Sequence, residues 1–594
     1  MPFDGIAVSS VCYELNNILI NSKIDKIFQP EKDTVIIVIR AKTDTFRLLL
    51  SINSNNSRIH LTKTNIENPP APPMFCMLLR KHLCGGKIIG INQYELERIV
   101  EIVIESTDIL GEHGIKKLII EMMGKHSNIM LVDNKGTIID SIKRVDSEMS
   151  RARQVLPGIR YNYPPSHNKV SLSNVNLKTH ISADLSDVSA ENFLLDYIMG
   201  FGRLICNEIC INAGVDKNAP ISSISSSDLQ KLQHEIEQVK FNINHNKFTP
   251  CVLNNDSNIP IDFYCFGINS IKGNLSFMDS INEAADIFYT FKIRAEKLNN
   301  QKTALSKNVL VTIDKCTKRL EAHQEKLNEV SDFSKLKLYG ELIYANMYDI
   351  KHGQDEAVVP NYYEYAECGS ENVIDNLLST ITIPLDKNLS PSDNANLYFK
   401  KYNKAKNALL SIVTQIGKTI NEIDYLVGIT HTIENCENIS EIENIKKQLS
   451  ERDIIPIDKT NLSKREIQSL PMKYISSDGF TILVGKNNKQ NDSLTLNTAR
   501  KNDIWLHAQK IPGSHVIIKS DNRTVSNTAI LEAAMLAAYY SKARNSSNVS
   551  VDYTEVKNVK KPSGAKPGAV VYNNFNTLLV SVNKQAIEKL RRDD

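Results

Sequence analysis

The stretch VLVTIDKCTKRLEAHQEKLNEV, residues 309–330, decides the architecture of this chain. Val309, Ile313, Cys316, Leu320, His323, Leu327 and Val330 step by four and three, the spacing of a heptad seam with Cys316 and His323 as its weak positions. A second seam follows about 70 residues later: Tyr402, Lys406, Leu409, Val413, Ile416, Ile420, Ile423 and Val427. Its helix has a marked start, with Ser390 as cap, Pro391 at the first helical position and Asp393 two residues on. Two seams separated by a non-helical segment predict an antiparallel pair. The segment between them, with Asn361 to Tyr365 and Ile381-Thr382-Ile383 read as strands or turns, predicts a small subdomain at the tip of a helical arm. The alternative is two core helices of an ordinary bundle.

Outward from the arm, the expected fold is multidomain α+β. Residues 1–170 read as a mixed α/β domain. Strands are expected at 34–40, 46–52, 98–106, 117–122, 129–132 and 137–142, with a helix at 73–84 whose face carries Met74, Met77, Leu78 and His82. Residues 164–189 are rich in Ser, Asn and Asp and read as a linker. A helical domain is expected over 171–280. Two helices flank Gly200-Phe201-Gly202 there, a third starts at a capping box on Ser227, and its face holds Leu229, Leu232, Ile236 and Val239. The arm is placed at 281–435, with its tip at about 336–390. Residues 436–594 read as a charged helical linker, carrying Lys446, Lys447, Lys459, Lys464 and Arg465, and a compact C-terminal α/β domain.

Composition bounds the function. The 594 residues exceed what one core organises, and roughly three or four domains is the natural expectation. A net charge of +3 cannot by itself attract a polyanion, so nucleic-acid binding must rest on local basic patches. The N-terminal MPFDGIAVSS lacks a signal peptide's basic and apolar regions. No run of about 18 apolar residues occurs, so no membrane span is expected. The ten cysteines form no C-x-x-C and have no histidines at zinc spacing, which fits a reducing cytoplasm and predicts no metal and no cofactor.

Four constellations carry candidate chemistry. Met199-Gly200-Phe201-Gly202-Arg203 resembles a helix-hairpin-helix turn. Gly200 and Gly202 would allow the turn, and the following helix, opened by Arg203, would offer backbone N–H groups to phosphate; the alternative is a plain glycine turn. Leu96-Glu97-Arg98 sets an acid beside an arginine that could present its fork to a base edge or phosphate, or could form a surface ion pair. Gly124, Lys125 and His126 lie in an anion-friendly loop between two strands, which is equally a hairpin loop. In the C-terminal domain, Lys486, Lys557, Lys560, Lys561 and Lys566 sit on Gly/Pro loops that could track phosphates, while Trp505 reads as core. There is no Walker A, G-x-S-x-G or H-E-x-x-H string, and no catalytic set emerges. Pro2 could serve as an amine nucleophile, as in a glycosylase, but no glutamate follows it and no zinc finger ends the chain.

Taken together the residues resemble the NFACT family, once named as fibronectin-binding proteins. The likeness covers essentially the whole chain. It rests on Phe3-Asp4-Gly5, Ile27-Phe28-Gln29-Pro30, Ser57-Arg58-Ile59-His60, Pro72-Pro73-Met74-Phe75-Cys76, Met123-Gly124-Lys125-His126-Ser127-Asn128, Leu338-Tyr339-Gly340-Glu341-Leu342, Gly485-Lys486-Asn487-Asn488, Asp503-Ile504-Trp505-Leu506-His507, Pro512-Gly513-Ser514-His515 and Gly564-Ala565-Lys566-Pro567-Gly568. The resemblance implies a domain order: an NFACT-N domain, a helix-hairpin-helix domain, a coiled-coil arm with a middle subdomain, and an NFACT-R domain. It implies a non-enzymatic ribosome quality-control factor, monomeric on the ribosome. Such a factor binds a large subunit (rRNA and stalk base) still holding peptidyl-tRNA, recruits alanine-charged tRNA, and supports mRNA-free alanine tailing of the nascent chain. The alternative attached to the older name is a fibronectin-binding surface adhesin. The family's Asp-Arg pair for tRNA engagement falls on Glu97-Arg98, with glutamate one methylene longer. Its N-terminal aspartate falls on Asp4, and its Gly-Arg-His string on Gly124-Lys125-His126, where lysine keeps the charge without the fork.

Overall fold

The structure is a computed structural model. It describes all residues except 1–2, 108–112, 151–152, 166–168, 181–186, 331–332, 364–379, 457–470, 566, 584–585, 588–589 and 593–594. Pro2, Lys459, Lys464, Arg465 and Lys566 therefore lie outside the described residues, as does part of the Tyr-rich segment near 361–365. The chain divides into two units, Met1–Glu296 and Lys297–Asp594.

In the first unit, helix α1 (Gly5–Leu19) starts where the Asp4 carboxylate caps the Ile6 and Ala7 amides. It buries Ile6, Ala7, Val8, Val11, Leu15 and Leu19. Then come β1 (Lys23–Glu31), β2 (Thr34–Arg40), β3 (Thr45–Ser51), β4 (Arg58–Leu61), α2 (Met74–Leu83), β5 (Lys87–Gln93), β6 (Ile99–Thr107), β7 (His113–Glu121), β8 (Asn128–Val132) and β9 (Ile138–Ser141). The strands form one nine-stranded sheet in the order β4-β3-β2-β1-β5-β6-β7-β8-β9, with antiparallel neighbours. Helix α2 buries Phe75, Cys76, Leu79 and Leu83, whereas Met74 is 87% exposed and Met77 50%. The expected face is therefore wrong: apolar residues surround this helix, and periodicity alone cannot choose among its sides.

The chain continues through α3 (Ala190–Tyr197), α4 (Arg203–Asn212) and α5 (Ser226–Asn244). The α5 cap is Ser225, not Ser227, and its hydroxyl accepts from the Asp228 amide. Leu232, Ile236 and Val239 are buried as expected. The segment read as a linker contains Leu172 and Leu177 in the core, because two leucines spaced among polar residues are enough to anchor it. The region expected to be helical also holds a small sheet of β10 (Cys251–Asn254), β11 (Pro260–Tyr264) and β12 (Asn274–Phe277), in the order β11-β10-β12. One continuous cluster of buried side chains reaches from Phe3 to Tyr289, and a smaller separate one forms around Ile99, Ile119, Met130 and Val155.

The second unit contains most of α6 (Ile281–Val330), then α7 (Ser334–Ala345), β13 (Glu356–Pro360), β14 (Thr380–Pro384), α8 (Pro391–Glu434) and α9 (Ile439–Ser450). Three contacts fix the direction of α6 against α8. Lys302 Nζ donates to the Glu434 carbonyl at 2.9 Å, Arg319 pairs with Glu422 at 2.5 Å, and the rings of Phe333, just past α6, and Tyr402 lie 5.7 Å apart. The helices run antiparallel. From Val309 to Leu327 the α6 seam lies on the less exposed face, while the side chain of Val330 lies outside the described residues. On α8, Tyr402, Leu409, Ile416 and Ile423 are on the covered face, but Lys406, Val413 and Ile420 are exposed. Their places are taken by Ala405, Ile412 and Thr419, and Leu426 is buried beside half-buried Val427. Steps of three then four fit as well as four then three where apolar residues are adjacent, and the notional seam slipped by one at alternate positions. Strands β13 and β14 pair antiparallel, and pack with α7 and the start of α8 around Leu342, Ile343, Ile383 and Tyr398.

The C-terminal domain comprises β15 (Met472–Ile475), β16 (Thr481–Val484), β17 (Ile504–Ala508), β18 (Val516–Ile518), α10 (Asn527–Tyr539), β19 (Val549–Glu555), β20 (Val559–Lys560), β21 (Val571–Tyr572), β22 (Asn576–Val580) and β23 (Arg591–Arg592). Seven strands order as β22-β19-β17-β18-β16-β15-β23. The alanines of α10 let it lie close on one face. Trp505 is fully buried on the other, against Leu494, Ile517 and Val559.

Candidate nucleic-acid interface

Two glycine-containing segments meet the turn at Leu96 in the first unit. The Gly5 amide donates to the Gly200 carbonyl at 3.0 Å. A Cβ on Gly5 would stand 1.8 Å from the Leu96 carbonyl oxygen. Gly200 has φ +83°, and a Cβ there would stand 2.7 Å from the Leu96 Cβ. Only glycine permits this approach. Gln93 Nε2 bridges the Gly5 and Glu97 carbonyls at 2.7 and 2.9 Å, pinning the turn before β6. The Met122 amide donates to the Arg98 carbonyl at 2.9 Å, fixing the backbone from which Arg98 projects.

Asp4 locks the floor. Beyond capping α1, its carboxylate accepts from the Gly202 amide at 3.1 Å and the Tyr264 hydroxyl at 2.8 Å. One acid thus holds the N-termini of α1 and α4 together. Burial pushes its pKa up to about 6, against the pull of these hydrogen bonds. Asp4, the position of the family's N-terminal aspartate, is 5% exposed: it lies under the site, and both carboxylate oxygens already accept hydrogen bonds. The same contact occupies the Gly202 amide, one of the helix-end donors expected to face phosphate.

Above this floor opens a cleft of about 1140 Å³. It is lined by segments remote in sequence: 3–5, 94–99, 121–128, 143–150, 153–155, 164–165, 169 and 195–203. Glu97, Arg98, Lys125, His126, Gly200, Gly202 and Arg203 all line it. Gly124, at φ +58°, makes the turn that leaves Lys125 and His126 exposed, held by Ser127 Oγ donating to its carbonyl at 2.7 Å. Glu97 and Arg98 form no ion pair with each other. Several cations of the cleft are already committed. Arg153 is forked onto buried Glu121, with its Nη1 2.7 Å from Oε1. Arg144 is paired with Asp140 at 3.1 Å, and Lys169 donates to the Leu195 carbonyl at 2.7 Å. Arg98, Lys125 and Arg203 have no hydrogen-bond or ionic partner among the described residues.

Sequence reasoning missed Tyr94 and Tyr163, whose rings stack at 3.7 Å and 14° beside the cleft, and the Arg153–Glu121 fork beneath it. Both pairs are 30 or more residues apart, and no local pattern marks them.

The C-terminal lysines are placed otherwise. Lys486 pairs with Glu441 at 3.0 Å, and Lys561 with Asp492. Lys557 pairs with neighbouring Glu555. Lys560 is exposed, with no ion pair among the described residues. No group of three or more His, Cys, Asp or Glu among the described residues is arranged to hold a metal. No helix among them is long and apolar enough to cross a membrane.

Two family profiles match the chain: the NFACT N-terminal and middle domains over residues 4–468, and the NFACT protein RNA binding domain over 471–574. This chain belongs to the NFACT family. It is 36% identical to the Rqc2 homolog RqcH of Bacillus subtilis (strain 168) over 598 residues, covering 100% of both chains. It is 33% identical to the Rqc2 homolog RqcH of Streptococcus suis, again over 100% of each. Among solved structures, the fibrinogen binding protein from Staphylococcus aureus aligns at TM-score 0.41 and 30% identity, over 49% of this chain and 99% of that one. In NFACT terms, the cleft lies within the N-terminal and middle region, and Lys486, Lys560, Lys561 and Lys566 lie within the RNA-binding domain.

Proposed function

We propose that this NFACT protein is a ribosome quality-control factor. It binds a large ribosomal subunit still carrying peptidyl-tRNA, recruits alanine-charged tRNA, and supports mRNA-independent alanine tailing of the nascent chain. The observation that carries this reading is the convergence of Arg98, Lys125 and Arg203, from three remote segments, as uncommitted cations around one preformed cleft. Cations with no internal partner, on a floor fixed by Gly5, Gly200 and Asp4, suit a phosphate backbone that must be held in one orientation. The full-length identity to proteins named RqcH supplies the ribosomal context.

In this reading the protein positions and the ribosome's own centre makes the peptide bonds. The 44-residue helix α8, paired with α6, spans about 66 Å at 1.5 Å per residue, a reach suited to touching the stalk base with the tip while other domains hold tRNA. The site of action is the cytoplasm. The test is Arg98→Ala in cells with stalled ribosomes. Alanine tails are expected to vanish while the variant still sediments with large subunits; tails of normal length in that variant overturn the role given to Arg98.

A further inference from the structure

Helix α9 joins the arm to the RNA-binding domain, and its two sides make different contacts. Its apolar side, Ile442, Ile445 and Leu449, is buried with Leu426 and Ile429 of α8 at the base of the arm. No side chain of that cluster belongs to either apolar cluster of the RNA-binding domain. Across the joint run ion pairs with a consistent sign. Glu441 holds Lys486 at 3.0 Å, with the two side chains only 3% and 17% exposed. Glu451 holds Lys489 at 3.6 Å near the surface. The acids come from the arm and the lysines from the RNA-binding domain.

We propose that Lys486 and Lys489 form an RNA phosphate site that α9 masks, its Glu441 and Glu451 carboxylates occupying the positions that two backbone phosphates take when RNA binds. A carboxylate and a phosphate oxygen present the same chemistry to an ammonium group. Exchange of one anion for the other keeps Lys486 partnered throughout, which matters because a half-buried ammonium tolerates no bare state. The polar character of the joint makes the exchange feasible, since no shared apolar core need be torn apart. The RNA-binding domain then swings from the arm only where a polyanion is present to take over its lysines. This inference rests on the RNA-binding assignment of residues 471–574 and not on the tailing role.

The experiment uses the full chain and a fluorescein-labelled oligouridylate of about 20 nucleotides, followed by anisotropy over a salt series. It is run in both the wild-type and the Arg98→Ala background, so that the cleft's contribution is held constant. Glu441→Gln with Glu451→Gln is expected to bind roughly tenfold tighter, with a salt dependence steeper by about two phosphate contacts. The exchanged pair, Glu441→Lys with Lys486→Glu, keeps the latch but moves the cation off the domain, and is expected to bind no tighter than wild type. Unchanged or weaker binding by the double glutamine variant, or equal tightening by the exchanged pair, overturns the proposal. If thermal unfolding shows the double variant misfolded, surface-exposed Glu451→Gln alone decides: about threefold tighter binding supports masking, and no change refutes it. Tails of normal length in Arg98→Ala, with these affinity changes as expected, would count against the cleft reading alone.

Discussion

Around the N-terminal cleft, Arg98, Lys125 and Arg203 carry charges that nothing in the described chain neutralises, on a backbone made rigid by close glycine contacts. In the C-terminal domain the lysines are as numerous, yet Lys486, Lys489 and Lys561 each face a carboxylate. The sequence makes the two regions look alike, as basic residues beside glycines. The structure separates them by what each cation already holds. A free cation on a fixed floor is prepared for an incoming phosphate; a paired one must first be released.

The comparison can be broken most strongly at the floor. Gly5→Ala drives a methyl into the Leu96 carbonyl and is expected to destabilise the first unit by roughly 3 kcal/mol or more, read from denaturant unfolding. A variant with unchanged stability contradicts the rigid floor. Next in size is Lys486→Gln. It leaves Glu441 buried without its cation and should cost about 2–3 kcal/mol of stability, reduced from the full buried-pair range because Lys486 keeps some contact with water. It should lower RNA affinity far less than Arg98→Ala does, because it removes the masking pair together with the cation. Arg98→Ala should do the reverse: stability within about 0.5 kcal/mol of wild type, and a tRNA affinity lower by roughly 1–3 kcal/mol. If the two variants shift the same observable, free and committed cations are not distinct classes.

A smaller effect should appear with pH. Burial raises the Asp4 carboxyl from 3.8 to about 6 in the folded chain, so between roughly pH 4 and 6 the folded state binds more protons than the unfolded state. Stability contributed by Asp4 is greatest below that window, falls as pH rises through it and is level above it. Asp4→Asn should flatten this slope in unfolding midpoints measured from pH 4 to 7; a slope identical to wild type removes Asp4 as its source. Smallest of all, Lys560→Ala, at an exposed unpaired lysine, should leave stability unchanged and lessen the salt dependence of RNA binding by about one phosphate.

Much of this molecule was legible in its residues, and what was not has identifiable causes. The β2–β3 hairpin, the loop at Gly124, the cap at Ser390 and the antiparallel helices follow from alternation, glycine placement and heptad spacing. The cleft members Glu97, Arg98, Lys125 and Arg203 could be singled out one by one, yet nothing in their spacing said that they would meet. Non-local contacts such as Gly5 with Gly200 and Asp4 with Gly202, nearly 200 residues apart, bring them together. The α8 seam and the α2 face were misplaced where apolar residues occupy neighbouring positions, since period alone cannot then break the tie. Strands β10–β12 are only four or five residues each and lie in a region dominated by helix signals. The commitment of Lys486 to Glu441, 45 residues earlier, has no local signature.

The central claim is that the cleft, and Arg98 in particular, is where tRNA is engaged. The most direct measurement is to purify the wild-type and Arg98→Ala proteins from their own cells with bound RNA and to sequence that RNA. The account predicts large-subunit rRNA together with tRNA, enriched in alanine acceptors, in the wild-type sample, and selective loss of the tRNA with retention of rRNA in the variant. Equal tRNA recovery from both proteins would contradict it.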